Sequence, residues 1–147
     1  IPLRLVGSEM CIRDSHMFID VRGGTKSQRD TVAEAAYFAK SYLMPKIQKL
    51  YVEIVLRKMD SDADMLQGDD DREYDVRVKK GMSKEDLMTA IFHEFVHIKQ
   101  DVRKEYPIGE ISDIPYFDRP WEIEAYALQE EMLKSYSEGV DKPARIC

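Results

Sequence analysis

The segment from Ser83 to about Lys104 constrains the fold most, because its pattern predicts a long helix with two unlike faces. Ser83 and Asp86 have the spacing of a capping box at a helix start. On a wheel of 100° per residue with His93 at zero, five apolar residues fall between about 120° and 200°. These residues are Leu87, Ile91, Phe95, Ile98 and Val102. We therefore expect one face to pack against a core and the other to line a polar cleft.

Two segments with alternating apolar residues, 51–57 and 74–79, predict strands that each bury one face. The acidic stretch 60–72 between them is typical of a solvated loop, and this order predicts a hairpin. The expected fold is α+β. A small antiparallel sheet, including this hairpin, packs against the 83–104 helix.

Three further elements follow from local signals. Segment 17–21 is β-prone and ends at two glycines, which predicts a first strand. Ser27 and Asp30 have capping-box spacing before an amphipathic pattern that ends near Met44. Proline at the first helical position predicts a last helix over 120–137. We expect this helix to close the other side of the cleft.

The chain length of 147 residues allows one compact domain, which we expect over 16–147. The first fifteen residues, IPLRLVGSEMCIRDS, have no regular periodicity and precede a plausible start at Met17. They resemble translated sequencing-adapter leaders, and we interpret 1–15 as an artefactual leader outside the fold. A signal peptide is disfavoured because charged residues interrupt its apolar centre.

Composition excludes two broad classes of protein. The 22 basic and 28 acidic side chains give a net charge of −6, and no basic cluster stands out to bind phosphates. No apolar run approaches the roughly 18 residues of a membrane-spanning helix. Neither a nucleic-acid partner nor a membrane is therefore expected. Two cysteines, Cys11 and Cys147, are far fewer than in a disulfide scaffold, so we expect a reducing, cytoplasmic compartment.

The polar face of the 83–104 helix carries the motif HEFVH, which matches the HExxH zinc pattern. His93 and His97 are four residues apart, so both imidazoles project from one face toward one ion. Neutral imidazoles are good ligands for Zn²⁺. Glu94 is displaced by about 100° from His93, where it can meet a water on the metal as a general base.

A third zinc ligand has to come from elsewhere, because catalytic zinc usually has three protein ligands and one water. The only other histidine, His16, borders the expected leader, which favours a carboxylate. The last helix offers Glu122 and Glu124 in PWEIEAYALQEE, about 80° to either side of its apolar stripe. Periodicity alone leaves both open.

HEFVHIKQ followed by PWEIEAYA resembles a minimal gluzincin-type metallopeptidase. It is similar to small HExxH proteins of phage and bacterial genomes, and more distantly to ImmA/IrrE-type metallopeptidases. In that group the third ligand is often the second glutamate of an ExEA sequence, which implies Glu124 here, with Glu122 as the alternative. The resemblance also implies Zn²⁺, Glu94 as catalytic base and a peptide or protein substrate.

Relatives in that group commonly bring a further histidine or tyrosine from outside the two helices to stabilise the oxyanion. No spare histidine remains in this chain, and Tyr116 and Arg119, just ahead of the last helix, are the candidates.

Two other hypotheses stay open. In the first, the same residues hold a structural zinc in a non-catalytic domain that binds a regulatory partner. In the second, HEFVH is a chance match in a metal-free helical adaptor.

Overall fold

The computed structural model describes residues 17–105 and 114–139 and confirms the α+β class. A four-stranded sheet combines with three α-helices and one short 3₁₀ turn. In chain order the elements are β1 (Met17–Gly23), α1 (Lys26–Leu43), β2 (Leu50–Arg57), β3 (Ala63–Gln67), β4 (Glu73–Lys79), α2 (Lys84–Val102), the 3₁₀ turn (Tyr116–Asp118) and α3 (Pro120–Glu138). The expected leader 1–15, His16 and both cysteines lie outside the described residues.

The sheet is mixed, with strand order β1-β2-β4-β3. β1 and β4 both run parallel to β2, and only β3 runs antiparallel, against β4. The predicted antiparallel sheet is therefore wrong, and so is the hairpin of 51–57 and 74–79. The stretch 60–72, which was expected to be a loop, contains β3. The chain reverses direction between β2 and β3 and again between β3 and β4. β4 therefore lies between β2 and β3 and runs parallel to β2.

α1 begins two residues earlier than predicted. Its N-cap is Thr25, whose hydroxyl accepts from the Gln28 backbone N–H at 3.1 Å. The Gln28 side chain in turn accepts from the Thr25 backbone N–H at 3.1 Å. The capping box is therefore Thr25 and Gln28, and the Ser27–Asp30 prediction is wrong. Asp30 instead pairs with Lys26 at 2.9 Å.

α2 lies at the centre of the molecule and has the two predicted faces. Ser83 caps it by accepting from the Asp86 backbone N–H at 3.2 Å. Its apolar face packs among α1 and strands β3 and β4, and α3 covers much of the rest. The most deeply buried members of the apolar face are Leu87, Ile91, Phe95 and Ile98. Both faces of α2 are thus withdrawn from water.

α3 begins at Pro120 and ends at Gly139, whose φ of 68° lies in the left-handed region that favours glycine. Within the described ranges, every helix is too short or too polar to cross a membrane.

Candidate metal centre

The two histidines of HEFVH lie one turn apart on α2 and face the start of α3. His93 is 9% exposed and His97 is 8% exposed. Their Nε2 atoms are 3.2 Å apart. The predicted convergence of the two imidazoles is thus found in the structure.

Glu122, in the first turn of α3, completes a triangle with these two nitrogens. Its Oε1 lies 3.2 Å from His93 Nε2 and 3.2 Å from His97 Nε2. Tetrahedral zinc has bonds of about 2.0–2.1 Å, which place neighbouring ligand atoms about 3.3–3.4 Å apart. A triangle with three 3.2 Å sides therefore has the size that such an ion requires. Among the described residues, these three form the one group of His, Cys, Asp and Glu side chains able to hold a metal.

Two glutamine amides determine which nitrogen of each imidazole carries the hydrogen. Gln129 Oε1 lies 2.8 Å from His93 Nδ1, and Gln100 Oε1 lies 2.8 Å from His97 Nδ1. An amide oxygen can only accept, so each Nδ1 donates. In neutral imidazoles this leaves a lone pair on each Nε2, directed into the triangle.

The electrostatics of the triangle favour a bound cation. Burial, followed by the neighbouring charge of His97, lowers the pKa of His93, so its neutral form predominates at pH 7. Two nitrogen lone pairs and one carboxylate oxygen then converge in a buried site. These are the donor types that zinc prefers, and the arrangement is repulsive unless a positive charge lies between them.

Glu124, the carboxylate that the resemblance implied, lies outside this triangle. Its Oε2 accepts from Lys99 Nζ at 3.0 Å, and its Oε1 accepts from Gln100 Nε2 at 2.7 Å. Burial alone would raise the pKa of Glu124, but the hydrogen bonds from Gln100 and Lys99 outweigh it and hold the pKa below its ordinary value. The structure therefore brings Glu122, and not the preferred Glu124, to the imidazole pair.

The rotation of α3 about its own axis explains this outcome. Its buried face comprises Trp121, Glu122, Ala125, Gln129 and Met132. At 100° per residue this face is centred about 50° from Glu122 and about 110° from Glu124. The rotation depends on how α3 packs on α2, which the sequence pattern of α3 alone does not specify.

Glu94 is buried beside the triangle, with 7% of its surface exposed. Burial, followed by the charges of Glu122 and Asp64, raises the pKa of Glu94 to about 8. In the metal-free protein its carboxyl group is therefore mostly protonated at pH 7. A divalent cation in the triangle would favour the ionised form, which is the form that a general base needs.

A cleft of about 350 Å³ opens onto these side chains. The motif residues His93, Glu94 and His97 form one part of its lining. The others are Ala63, Asp64, Met65, Tyr116, Trp121 and Glu122. The cleft therefore extends from the edge strand β3 to the triangle of His93, His97 and Glu122.

Tyr116, one of the two residues predicted as oxyanion stabilisers, lies in this cleft. Its hydroxyl donates to Glu122 Oε1 at 3.0 Å and is 3.5 Å from the Tyr126 hydroxyl. Removal from water, followed by the contacts with Tyr126 and Glu122, raises the pKa of Tyr116. The phenol therefore remains a hydrogen-bond donor across the physiological range.

Arg119 does not line the cleft, so the structure does not place it as an oxyanion stabiliser. Its Nε donates to the Ile114 carbonyl at 2.9 Å, and its guanidinium carbon is 5.7 Å from the centre of the Tyr116 ring. Arg119 therefore interacts with the Tyr116 ring through a cation–π contact.

Sequence reasoning missed the roles of Gln100 and Gln129. Gln129 follows Glu122 by seven residues and so shares its helix face, a spacing that could have indicated it. Gln100 follows His97 by three residues, which is also a same-face spacing. The cleft-lining strand β3 was missed because its short apolar run lies within an acidic stretch.

Comparisons of this chain with protein-family models, curated proteins and solved structures found no match, so the function of the site is inferred from its own geometry and chemistry.

Proposed function

We propose that this protein is a zinc-dependent peptidase with a minimal zincin-like arrangement of an HExxH helix, a ligand helix and an edge strand. The observation that carries the proposal is the buried triangle of His93 Nε2, His97 Nε2 and Glu122 Oε1, with three sides of 3.2 Å, beside the buried carboxyl group of Glu94. The triangle lies on an open cleft, which favours a catalytic centre over a closed structural one.

Zinc, when bound, acidifies a water molecule and polarises a carbonyl group. Glu94 accepts the proton of the attacking water on its carboxylate and later donates it to the leaving amine. Its burial keeps bulk water away from this proton. The Tyr116 hydroxyl, which donates to Glu122 in the metal-free protein, belongs to the cleft lining and can donate to a developing oxyanion.

The edge position of β3 supports a peptide substrate. Within the described residues β3 is the last strand of the sheet, with β4 on one side only. Ala63, Asp64 and Met65 of this strand line the cleft beside the triangle. An extended peptide can pair with such an edge through its main chain, which would bring a backbone carbonyl toward the metal.

The Glu94→Gln variant tests this proposal. The probe is a mixture of internally quenched fluorescent decapeptides with randomised central residues, incubated with zinc-loaded full-length protein. We expect the wild type to bind one zinc per chain and to cleave part of the mixture. Glu94→Gln should keep the zinc, measured by mass spectrometry, and lose about 10²–10⁴-fold in rate. His93→Ala should lose both.

Glu85→Gln is the matched control, because Glu85 is an exposed glutamate in the first turn of the same helix. It should retain both zinc and cleavage. Full activity in Glu94→Gln would contradict the assigned base, and a wild type without zinc would contradict the metal centre. A wild type that binds zinc but cleaves none of the peptides would instead support the non-catalytic zinc domain.

A further inference from the structure

The side-chain amide of Gln100 connects the HExxH helix to the ligand helix, and both its oxygen and its NH₂ group make hydrogen bonds. Its Oε1 lies 2.8 Å from His97 Nδ1. Its Nε2 donates to the Trp121 carbonyl at 2.9 Å and to Glu124 Oε1 at 2.7 Å. Gln100 is 1% exposed, so water does not compete with these contacts.

The direction of this amide determines the protonation pattern of His97. In the observed direction the amide oxygen accepts from Nδ1–H, and the Nε2 lone pair points into the triangle. If the amide were reversed, its NH₂ group would face Nδ1, which would then have to accept. The ring hydrogen would move to Nε2 and occupy the metal-binding side of the imidazole.

Glu124 opposes that reversal. Its carboxylate accepts from the Gln100 NH₂ group, and it is held in place by Lys99 at 3.0 Å. A reversed amide would direct its oxygen at both the Glu124 carboxylate and the Trp121 carbonyl. Three acceptors would then face one another in a buried position, which is unfavourable.

We propose that Gln100 and Glu124 form a positioning relay that keeps the Nε2 lone pair of His97 directed at the metal. Glu124, the glutamate that the sequence suggested as a ligand, acts on His97 through two hydrogen bonds. Gln100 donates the first to Glu124, and His97 Nδ1 donates the second to Gln100. This inference rests on the metal centre of the proposed function, but not on peptide cleavage. The relay exists in the protein before metal binds, so it can be measured without metal.

The first measurement is the tautomer of His97 in zinc-free, full-length protein at pH 8, from long-range ¹H–¹⁵N correlations of the imidazole. We expect Nδ1–H in the wild type. Gln100→Leu removes the acceptor while keeping a side chain of similar size, and we expect a substantial Nε2–H population. An Nε2–H form in the wild type, or no change in Gln100→Leu, would overturn the relay.

The second measurement is zinc affinity by competition with a chromophoric chelator. Loss of such a partner typically weakens metal binding about 10–100-fold, and we expect this for Gln100→Leu. The single change Gln100→Glu should also weaken binding, because it places two carboxylates together. Adding Glu124→Gln should restore affinity to within about threefold of wild type. In this double variant the carboxylate at position 100 accepts from His97 Nδ1, and the amide at position 124 donates to that carboxylate.

Restoration by the exchanged pair separates the relay from simple misfolding, since both variants lack the donor to Trp121. Glu85→Gln is the matched control, because Glu85 is exposed in the first turn of the same helix and takes no part in these contacts. We expect its zinc affinity to change by no more than about twofold. No restoration in the double variant would overturn the relay. If the wild type binds no zinc, the proposed function fails, while the tautomer measurement still decides the relay.

Discussion

The two faces of α2 are both largely withdrawn from water but differ in chemistry. On one face Ile91, Phe95 and Ile98 are fully buried. On the other, His93 and His97 are 9% and 8% exposed. The apolar face stabilises the fold by burial alone. The polar face is tolerated because its polar groups have partners, including Gln129, Gln100 and Glu122.

This difference teaches that stability on the two faces depends on different conditions. The stabilisation from buried hydrocarbon depends only weakly on pH and on metal ions. The free energy of burying imidazoles and carboxylates depends strongly on both, because their charge changes with pH and with a bound cation. Variants of the two faces should therefore differ in their pH and zinc dependence as well as in the size of their effects.

The largest expected effect is on the apolar face. Phe95→Ala should lower the free energy of unfolding by about 3–5 kcal/mol, because it leaves a cavity at a fully buried position. Urea denaturation of the metal-free protein measures this. The loss should be nearly the same at pH 5 and pH 8. A loss below about 1 kcal/mol would show that this face is less tightly packed than the structure indicates.

The next effect distinguishes the polar face by its pH dependence. The Glu94 carboxyl group has a pKa near its ordinary value of 4.5 when unfolded, but burial raises this pKa to about 8 in the folded protein. Between these values the folded state binds more protons, so the stability that this group contributes falls as pH rises. Glu94→Gln has no such proton. Its stability relative to wild type should therefore increase from pH 5 to pH 8, by on the order of 3 kcal/mol.

The free energies of unfolding of wild type and Glu94→Gln are measured by urea denaturation at pH 5 and pH 8, with a chelator present to remove metal ions. His93 has the opposite dependence, because its lowered pKa favours the fold at higher pH. It is present in both proteins, so its contribution largely cancels in the difference. A difference between variant and wild type that is independent of pH would contradict the buried, protonated state of Glu94.

The smallest effect is stabilisation by zinc. At a free concentration 100 times its dissociation constant, zinc should stabilise the wild type by about 2.7 kcal/mol. At the same concentration Glu122→Ala should lose nearly all of this, and Glu124→Ala only part, because Glu124 acts through Gln100. Glu138→Ala, at an exposed position, is the control. Equal losses at 122 and 124 would contradict the assignment of Glu122 as the third ligand.

Local sequence signals predicted the elements whose stability is mainly local. Alternation located β2 and β4 within one residue, and Ser83 was the correct cap of α2. The convergence of His93 and His97 follows from helix geometry alone, because both lie on one continuous helix. These features depend on residues that are neighbours in the chain.

Features that depend on distant packing were not predictable in this way. The parallel pairing of β2 and β4 requires β3, whose short apolar run lies within an acidic stretch. The choice of Glu122 over Glu124 depends on the rotation of α3 against α2. Thr25 rather than Ser27 caps α1, and the sequence pattern did not distinguish them because each has a capping partner three residues later.

In the proposed metal centre, the carboxylates that line the cleft would determine which valence of ion is favoured. Asp64 forms an ion pair with Arg77, which donates to both of its oxygens, at 2.8 Å and 2.5 Å. Glu94 and Glu122, when both are ionised, contribute two negative charges beside the imidazole of His93, whose lowered pKa favours its neutral form. A doubly charged cation balances them, whereas sodium or potassium would leave one negative charge in a water-poor interior. The proposed metal centre would therefore discriminate between ions by charge as well as by donor geometry.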